Sequence, residues 1–177
     1  MTAMEQEYDF VSKIRDVPDF PKPGIVFKDI TPLLQDAEAH RAVTHAFATQ
    51  FGGDGIQRVV GIESRGFIFG MALAHEMGVS FVPIRKFGKL PKQTKSVSYS
   101  LEYGEEQMEI HDDALNEGDR ILIIDDLLAT GGTAAAACSL VESLGGAIVS
   151  LAFVIELSFL NGKERLGDRN IFTLVKF

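Results

Sequence analysis

Two adjacent carboxylates stand between an apolar segment and a short loop of small and hydroxyl residues in ILIIDDLLATGGT (121–133). Asp125 and Asp126 can accept hydrogen bonds from sugar hydroxyls, and each hydrogen bond to a charged group contributes about 1.5–3 kcal/mol. The loop leads into a predicted helix, whose free N–H groups and dipole favour an anion. The segment therefore predicts a sugar-phosphate site. An acidic strand end beside an ordinary helix cap is the alternative, and the attached TGGT disfavours it.

The composition of the loop suits a phosphate group. Gly131 and Gly132 let the backbone approach a ligand closely and adopt conformations closed to other residues. The hydroxyls of Thr130 and Thr133 add hydrogen-bond donors. The predicted phosphate-binding loop consists of Ala129, Thr130, Gly131, Gly132 and Thr133.

The elements that must position this site alternate between apolar strands and helices. Strands are predicted at 58–62, 81–85, 121–125, 148–157 and 171–177, and helices at 37–51, 67–77 and 133–144. Continuous apolar strands that alternate with helices indicate a parallel sheet covered on both faces. The predicted fold class is α/β, a doubly wound and mainly parallel sheet with flanking helices. Ligands in such sheets bind beyond the carboxyl ends of the strands, which is where the two acids fall.

Two further segments accompany this sheet. An antiparallel hairpin around Gly104 is predicted as an appendage, because SVSYSLEY and EQMEIH alternate with period two. Nearer the N-terminus, Glu5 to Asp16 is predicted as a helix. Residues 18–34 are predicted as a rigid extended connector, because they hold four of the six prolines.

Length, charge and cysteine content favour one acidic domain of 177 residues. A net charge of −8 disfavours nucleic acid as a partner. The single cysteine, Cys138, permits no disulfide within the chain and fits a reducing cytoplasm. The N-terminus lacks the pattern of a secretion signal, and no apolar run is long enough to cross a bilayer. We therefore expect a cytoplasmic protein without a membrane partner.

Two other segments carry cations that could bind an anion. Five of the 17 lysines and arginines lie in RKFGKLPKQTK (85–95), which contains no acid. A cationic, closable loop suits a pyrophosphate leaving group, on which charge builds as the bond breaks. GIESRGF places Arg65 after a predicted strand and before a helix, as a second candidate anion site. A solvated loop and a plain turn are the respective alternatives.

Five motifs together resemble the adenine phosphoribosyltransferases, within the type I phosphoribosyltransferases. DDLLATGGT is similar to their motif for phosphoribosyl diphosphate (PRPP). Four other segments match in the same order: DFPKPGIVFKDITPLL (19–34), GIESRGFIFG (61–70), IRKFGKLP (84–91) and YSLEYG (99–104). The resemblance implies the type I fold in a single domain over 1–177. It also implies that 1–34 forms part of a hood over the base and that 86–110 is a flexible lid hairpin.

The resemblance implies roles that the spacing alone leaves open. The catalytic residues would be Glu102, Arg65 and Lys86. Glu102 would lie on the lid beside Tyr103 and assist proton transfer on the purine. Arg65, Lys86 and Lys89 would lie near the diphosphate.

The resemblance also implies a base site. Phe27 would stack on adenine with Leu127 on the other side, and stacking of a base on an aromatic ring contributes about 1–3 kcal/mol. Main-chain groups around Val26 and Lys28 would read the base. The family often has arginine where this chain has Lys28, so a role of that arginine side chain is not carried over.

The implied reaction transfers the phosphoribosyl group of PRPP to adenine, giving AMP and pyrophosphate in purine salvage. Mg²⁺ would be the cofactor, held mainly by substrate and water without direct protein ligands. The implied assembly is a homodimer. The same chemistry on hypoxanthine, guanine or xanthine stays open, as does a binding regulator that senses PRPP. No P-loop motif occurs, and HEMGV lacks the second histidine of a zinc helix.

Overall fold

A computed structural model describes residues 8–101 and 104–177, and it describes only the backbone of 100, 101, 104 and 105. The strands are β1 (Arg15–Pro18), β2 (Val26–Asp29), β3 (Arg58–Ile62), β4 (Ser80–Lys86), β5 (Thr94–Leu101), β6 (Gly104–His111), β7 (Arg120–Leu128), β8 (Ala147–Glu156) and β9 (Ile171–Lys176). The α-helices are α1 (Thr31–Gln35), α2 (Ala37–Phe51), α3 (Gly66–Met77) and α4 (Gly132–Ser143). Short 3-10 helices lie at Val11–Lys13, Ser158–Leu160 and Gly162–Leu166.

A seven-stranded sheet forms the centre, in the order β5-β6-β4-β3-β7-β8-β9. The five strands from β4 to β9 in this order are parallel, and the hairpin β5–β6 is antiparallel to β4. The chain runs outward from β3 to β4 on one side and from β7 to β8 and β9 on the other. The topological switch point therefore lies between β3 and β7, which is where ligands bind in open α/β sheets. The predicted doubly wound α/β class is confirmed.

Helices cover both faces of this sheet because successive side chains of a strand point to opposite faces. Leu122 and Ile124 belong to a buried cluster with α2 and α3. Ile121 and Ile123 belong to a second cluster with α4. The continuous apolar run of β7 is thus the consequence of burial on both sides. Within the described ranges, no helix is both long and apolar enough to cross a lipid bilayer.

The predicted antiparallel hairpin around Gly104 is confirmed, and its base joins the edge of the central sheet. Strand β6 pairs with β4 through Arg85 opposite Glu109 and Lys86 opposite Met108. Met108 and Ile110 are buried in the cluster on the α4 face. Their apolar side chains hold the base of the hairpin in the core.

The prediction of an N-terminal helix was wrong over the residues that the structure describes. A helix was expected to continue to Asp16, but a 3-10 turn ends at Lys13 and Arg15–Pro18 is a strand. This strand pairs with β2, and Arg15 forms an ion pair with Asp29 at 2.6 Å. The expected connector at 18–34 contains β2 and most of α1. The pairing partner of β1 is distant in sequence, so a local pattern did not reveal it.

Candidate active site

The two loops at the switch point are joined by a charge contact. Arg65 follows β3 at the start of α3, and Asp126 lies in β7, the neighbouring strand. The Nε atom of Arg65 lies 3.0 Å from Oδ2 of Asp126. Arg65 was predicted in a second anion site and Asp126 in the sugar site. The structure brings these two residues into contact at one place on the sheet.

The acidic pair lies inside β7, which continues to Leu128, whereas the strand was predicted to end at Asp125. Pairing with β3 ends at Gly61 opposite Ile124, so both acids lie beyond the last paired residues of the two strands. Asp126 donates its N–H to Oδ1 of Asp125 at 2.9 Å. Oδ2 of Asp126 is buried without a hydrogen bond, its ion pair with Arg65 aside. A hydroxyl donor from a ligand would satisfy this atom.

Burial dominates the electrostatics of this pair. Burial and the neighbouring charge of Asp126 raise the pKa of Asp125 well above its ordinary value. Burial also raises the pKa of Asp126, and the Arg65 guanidinium offsets part of that effect. Two acceptors held together in this way favour a ligand that brings hydroxyl donors or positive charge.

The start of α3 packs so closely against this part of β7 that only glycine fits at position 66. A Cβ atom on Gly66 would lie 2.8 Å from the carbonyl oxygen of Ile124 and 2.8 Å from Oδ1 of Asp125. Any larger residue would push the helix away from the acidic pair. Gly66 thus brings the Arg65 loop close to β7.

The predicted phosphate-binding loop ends at the N-terminus of α4, as expected. Gly131 has φ of +80°, and α4 begins at Gly132. Four N–H groups at a helix start have no intrahelical acceptor, so they are available to an anion.

A second loop supports this one, and the sequence reasoning did not identify it. A Cβ atom on Gly162 would lie 2.1 Å from the carbonyl oxygen of Ala129, and one on Gly131 would lie 2.2 Å from the carbonyl oxygen of Gly162. The backbones are therefore in direct contact. The Asn161-Gly162 pair is a turn signal in the sequence, but it does not reveal what the turn contacts.

Two residues of the basic segment, Arg85 and Lys86, contact Glu63. Arg85 donates from Nε to Glu63 at 3.2 Å, and the Lys86 N–H donates to it at 2.8 Å. The Lys86 ammonium lies 3.4 Å from Glu106. The Lys89 ammonium has no ion-pair partner among the residues that the structure describes.

The predicted base-binding residues divide between the two-stranded sheet and β7. The ring of Phe27 in β2 contacts Phe20 edge-on at 5.3 Å and lies 5.6 Å from the Arg65 guanidinium. Val26 is exposed, and Leu127 packs on the core formed with α2 and α3. Arg65 thus links the two-stranded sheet to the acidic pair.

The Lys28 side chain contacts other residues of the protein. Its ammonium lies 2.6 Å from Asp16 and 3.7 Å from the centroid of the Phe177 ring. The contact with Phe177 connects the two-stranded sheet to the residue that follows β9. Glu102 and Tyr103, predicted on the lid, lie outside the described residues.

Comparison with known proteins identifies the family. Residues 31–175 match the model of the phosphoribosyl transferase domain. An adenine phosphoribosyltransferase of Nitrosococcus oceani is 55% identical over 166 residues, which cover 94% of this chain and 97% of that protein.

Solved structures agree with this match. The adenine phosphoribosyltransferase of Thermoanaerobacter pseudethanolicus has a TM-score of 0.92 at 50% identity, covering 95% of this chain and 98% of that one. The Saccharomyces cerevisiae enzyme, solved with an imino-altritol bisphosphate and adenine, has a TM-score of 0.89 at 40% identity, covering 93% and 96%. The chain therefore belongs to the adenine phosphoribosyltransferases, enzymes of the phosphoribosyltransferase family.

Proposed function

We propose that this protein transfers the phosphoribosyl group of PRPP to adenine, giving AMP and pyrophosphate in purine salvage. The observation that carries the proposal is the Arg65–Asp126 contact of 3.0 Å at the switch point. It brings the cation at the N-terminus of α3 next to the two adjacent carboxylates of β7. A sugar that carries a phosphate at one end and a diphosphate at the other matches this arrangement.

The sugar phosphate binds across β7 and the start of α4. Asp125 and Asp126 accept hydrogen bonds from the ribose hydroxyls, and the buried, unpaired Oδ2 of Asp126 supports this role. The phosphate-binding loop (129–133) donates N–H groups and hydroxyls to the 5′-phosphate. Holding both ends of the sugar fixes its anomeric carbon for attack, which lowers the entropic part of the barrier.

The departing pyrophosphate meets the basic residues. Arg65, Lys86 and Lys89 stabilise the charge that develops as the bond to the anomeric carbon breaks. The base nitrogen attacks the opposite face of that carbon, which inverts its configuration.

Adenine binds next to the two-stranded sheet. Phe27 stacks on one side and Leu127 packs on the other, while the main chain near Val26 and Lys28 reads the edge of the base. The position of Phe27 beside Arg65, at 5.6 Å, supports a base site adjacent to the pyrophosphate site. Glu102 assists proton transfer on the purine from the lid.

The residues present fit Mg²⁺ as a cofactor bound mainly through substrate. No three His, Cys, Asp or Glu side chains in the described ranges form a group that could hold a metal alone. Asp125 and Asp126 supply the oxygen-rich, negative surroundings that Mg²⁺ prefers, and they would hold it through the ribose hydroxyls. When bound, the ion neutralises charge on the pyrophosphate.

Incubation with PRPP, Mg²⁺ and one base at a time tests the reaction. We expect AMP from adenine, and no IMP or GMP from hypoxanthine or guanine, measured by chromatography. Formation of IMP or GMP in place of AMP would show that the enzyme uses hypoxanthine or guanine and not adenine. Binding of PRPP without any product would favour a PRPP sensor.

We predict that Lys28→Met raises KM for adenine about fivefold and leaves KM for PRPP near wild type. The substitution removes the ion pair with Asp16 and the cation–π contact with Phe177, each worth about 0.5–1 kcal/mol at a partly exposed site. The two-stranded sheet then holds Phe27 less firmly. Steady-state kinetics with each substrate varied in turn measures the effect. Lys28→Arg is the control and should stay near wild type, and equal changes in both KM values would contradict the assignment.

We further propose that the protein is a homodimer in which α3 lies at the interface. Ile68 and Met71 on α3 are 40% and 55% exposed, although the helix is apolar around most of its surface. A helix of this composition is normally buried. A second copy of the chain would cover these side chains.

We predict that Met71→Glu converts the dimer to a monomer, because a buried carboxylate at the interface has no partner. Light scattering after size-exclusion chromatography should give 19.4 kDa for the variant and twice that mass for the wild type. Phe159→Glu is the control, because Phe159 is 69% exposed but lies outside α3. A wild-type monomer, or a dimeric Met71→Glu protein, would rule out this interface.

A further inference from the structure

The backbone of the basic loop, defined as residues 86–90, is held by two carboxylates. Glu63 accepts the Lys86 N–H at the start of the loop at 2.8 Å. Glu109 accepts the N–H groups of Lys89 and Leu90 at its end, each at 2.9 Å. Both ends of the loop are therefore fixed by acids that lie outside it.

Glu109 is built into the sheet. It is 3% exposed and lies in β6, opposite Arg85 of β4 on one side and Ser96 of β5 on the other. Its second oxygen accepts the Thr94 hydroxyl at 3.1 Å. One buried carboxylate thus connects the basic loop to the first residue of β5.

The negative charge of Glu109 is stabilised by uncharged hydrogen-bond donors. Burial would raise the pKa of its carboxyl, but N–H groups of the loop and the Thr94 hydroxyl hold that pKa below its ordinary value. No ion pair to Glu109 occurs in the part of the chain that the structure describes. Its negative charge is stabilised by hydrogen bonds from the backbone.

This arrangement orders the basic loop without neutralising the Lys89 side chain. Glu109 contacts the Lys89 N–H, whereas the Lys89 ammonium has no ion-pair partner in the described ranges. Arg85 adds a further contact to the same backbone, donating from Nη1 to the Lys89 carbonyl oxygen at 3.3 Å. The loop is held at its main chain, and the lysine charge remains available to an anion.

We propose that Glu109 is a positioning residue, which holds the basic loop so that the Lys89 ammonium contacts the pyrophosphate group. This inference rests on the proposed function, in which pyrophosphate binds Lys89. Glu109 acts through the loop and does not contact the substrate. Substitution of Glu109 keeps Lys89 but removes the hydrogen bonds that fix the backbone carrying the Lys89 side chain.

The test is a double-mutant cycle on KM for pyrophosphate in the reverse reaction with AMP. We expect Glu109→Met to raise this KM about tenfold, with unchanged affinity for AMP, which lacks the pyrophosphate group. Glu109→Gln should recover most of the loss, because an amide can accept the two N–H groups and donate to Thr94. Glu109→Met should have no further effect in a Lys89→Met background, since coupled residues are not additive.

The outcomes separate this inference from the proposed function. Asp113→Asn is the matched control: Asp113 pairs with Lys92 on the surface near the loop, and its removal should leave KM unchanged. Additive losses from Glu109→Met and Lys89→Met, or an equal loss of AMP affinity, would overturn the positioning role. An unchanged KM in Lys89→Met would overturn it as well, while AMP synthesis by the wild type would still support the reaction.

If Glu109→Met does not fold, Thr94→Val provides the same test with a smaller change. It removes the hydroxyl that holds the second oxygen of Glu109 and keeps the size of the side chain. We expect a rise of about threefold in KM for pyrophosphate, absent in a Lys89→Met background. An unchanged KM in Thr94→Val, or a rise that persists without Lys89, would contradict the inference.

Discussion

We expect Gly162→Ala to lower kcat/KM for PRPP about 100-fold and to weaken AMP binding, although Gly162 contributes no functional group to the site. Its added methyl would lie 2.1 Å from the carbonyl oxygen of Ala129 and 3.0 Å from the Gly131 nitrogen. Both atoms belong to the backbone, so the phosphate-binding loop must move by about 1 Å. A displacement of that size can reduce catalysis about 100-fold.

The cause is steric and independent of backbone strain. The φ angle of Gly162 lies outside the left-handed region, so alanine can adopt the local conformation. We expect a moderate loss of stability, about 1–3 kcal/mol, as is typical of overpacking. Calorimetric titration with AMP and kinetics with PRPP measure the effect on the site, and thermal unfolding measures stability.

A second glycine provides the control for this variant. A Cβ atom on Gly53 would meet no atom within 4 Å, so Gly53→Ala should retain wild-type kinetics. If Gly162→Ala binds AMP and PRPP as tightly as the wild type does, the loop at 161–166 has no part in positioning the phosphate.

We expect Asp125→Asn to raise the thermal stability near pH 7 and to lower kcat/KM for PRPP by about 10- to 100-fold. The loss follows from replacing a charged acceptor of a ribose hydroxyl, a contact worth about 1.5–3 kcal/mol. The Asp126 N–H, now 2.9 Å from Oδ1 of Asp125, can still donate to the amide oxygen. The fold therefore retains its local contact.

The stability gain follows from the sign of the pKa shift. Burial and the charge of Asp126 raise the pKa of Asp125 in the folded protein. The folded state then holds this proton more tightly than the unfolded chain does, so ionisation destabilises the fold as pH rises from about 4 through the raised value. Asparagine cannot ionise, so its advantage is small near pH 4 and complete above the folded pKa.

Thermal unfolding of both proteins between pH 4 and pH 8 checks this prediction. The difference in Tm between Asp125→Asn and the wild type should widen with pH. Asp126→Asn is the comparison and should gain less, because Arg65 already offsets part of the burial effect at Asp126. A constant or reversed difference would show that the Asp125 carboxylate is not destabilising at neutral pH.

Much of the secondary structure could be predicted because its signals are local. The helix predicted at 37–51 coincides with α2, and the strand at 58–62 coincides with β3. Apolar periodicity and flanking glycines lie within a few residues of each element, so they are readable in one chain. The helix at Glu5 to Asp16 failed because Arg15–Pro18 pairs with β2, which is remote from it in sequence.

The sequence by itself determined the class of fold, the chemistry of the DDLLATGGT segment and the family resemblance, since each depends on residue type and short spacing. Only the tertiary structure decided that Arg65 meets Asp126, that Gly162 supports the phosphate-binding loop and that Glu109 holds the basic loop. These contacts join residues that are 19 or more positions apart in the sequence, and several of them involve only main-chain atoms, which do not depend on residue type. No local pattern encodes such contacts, because they exist only once the strands are ordered in the sheet.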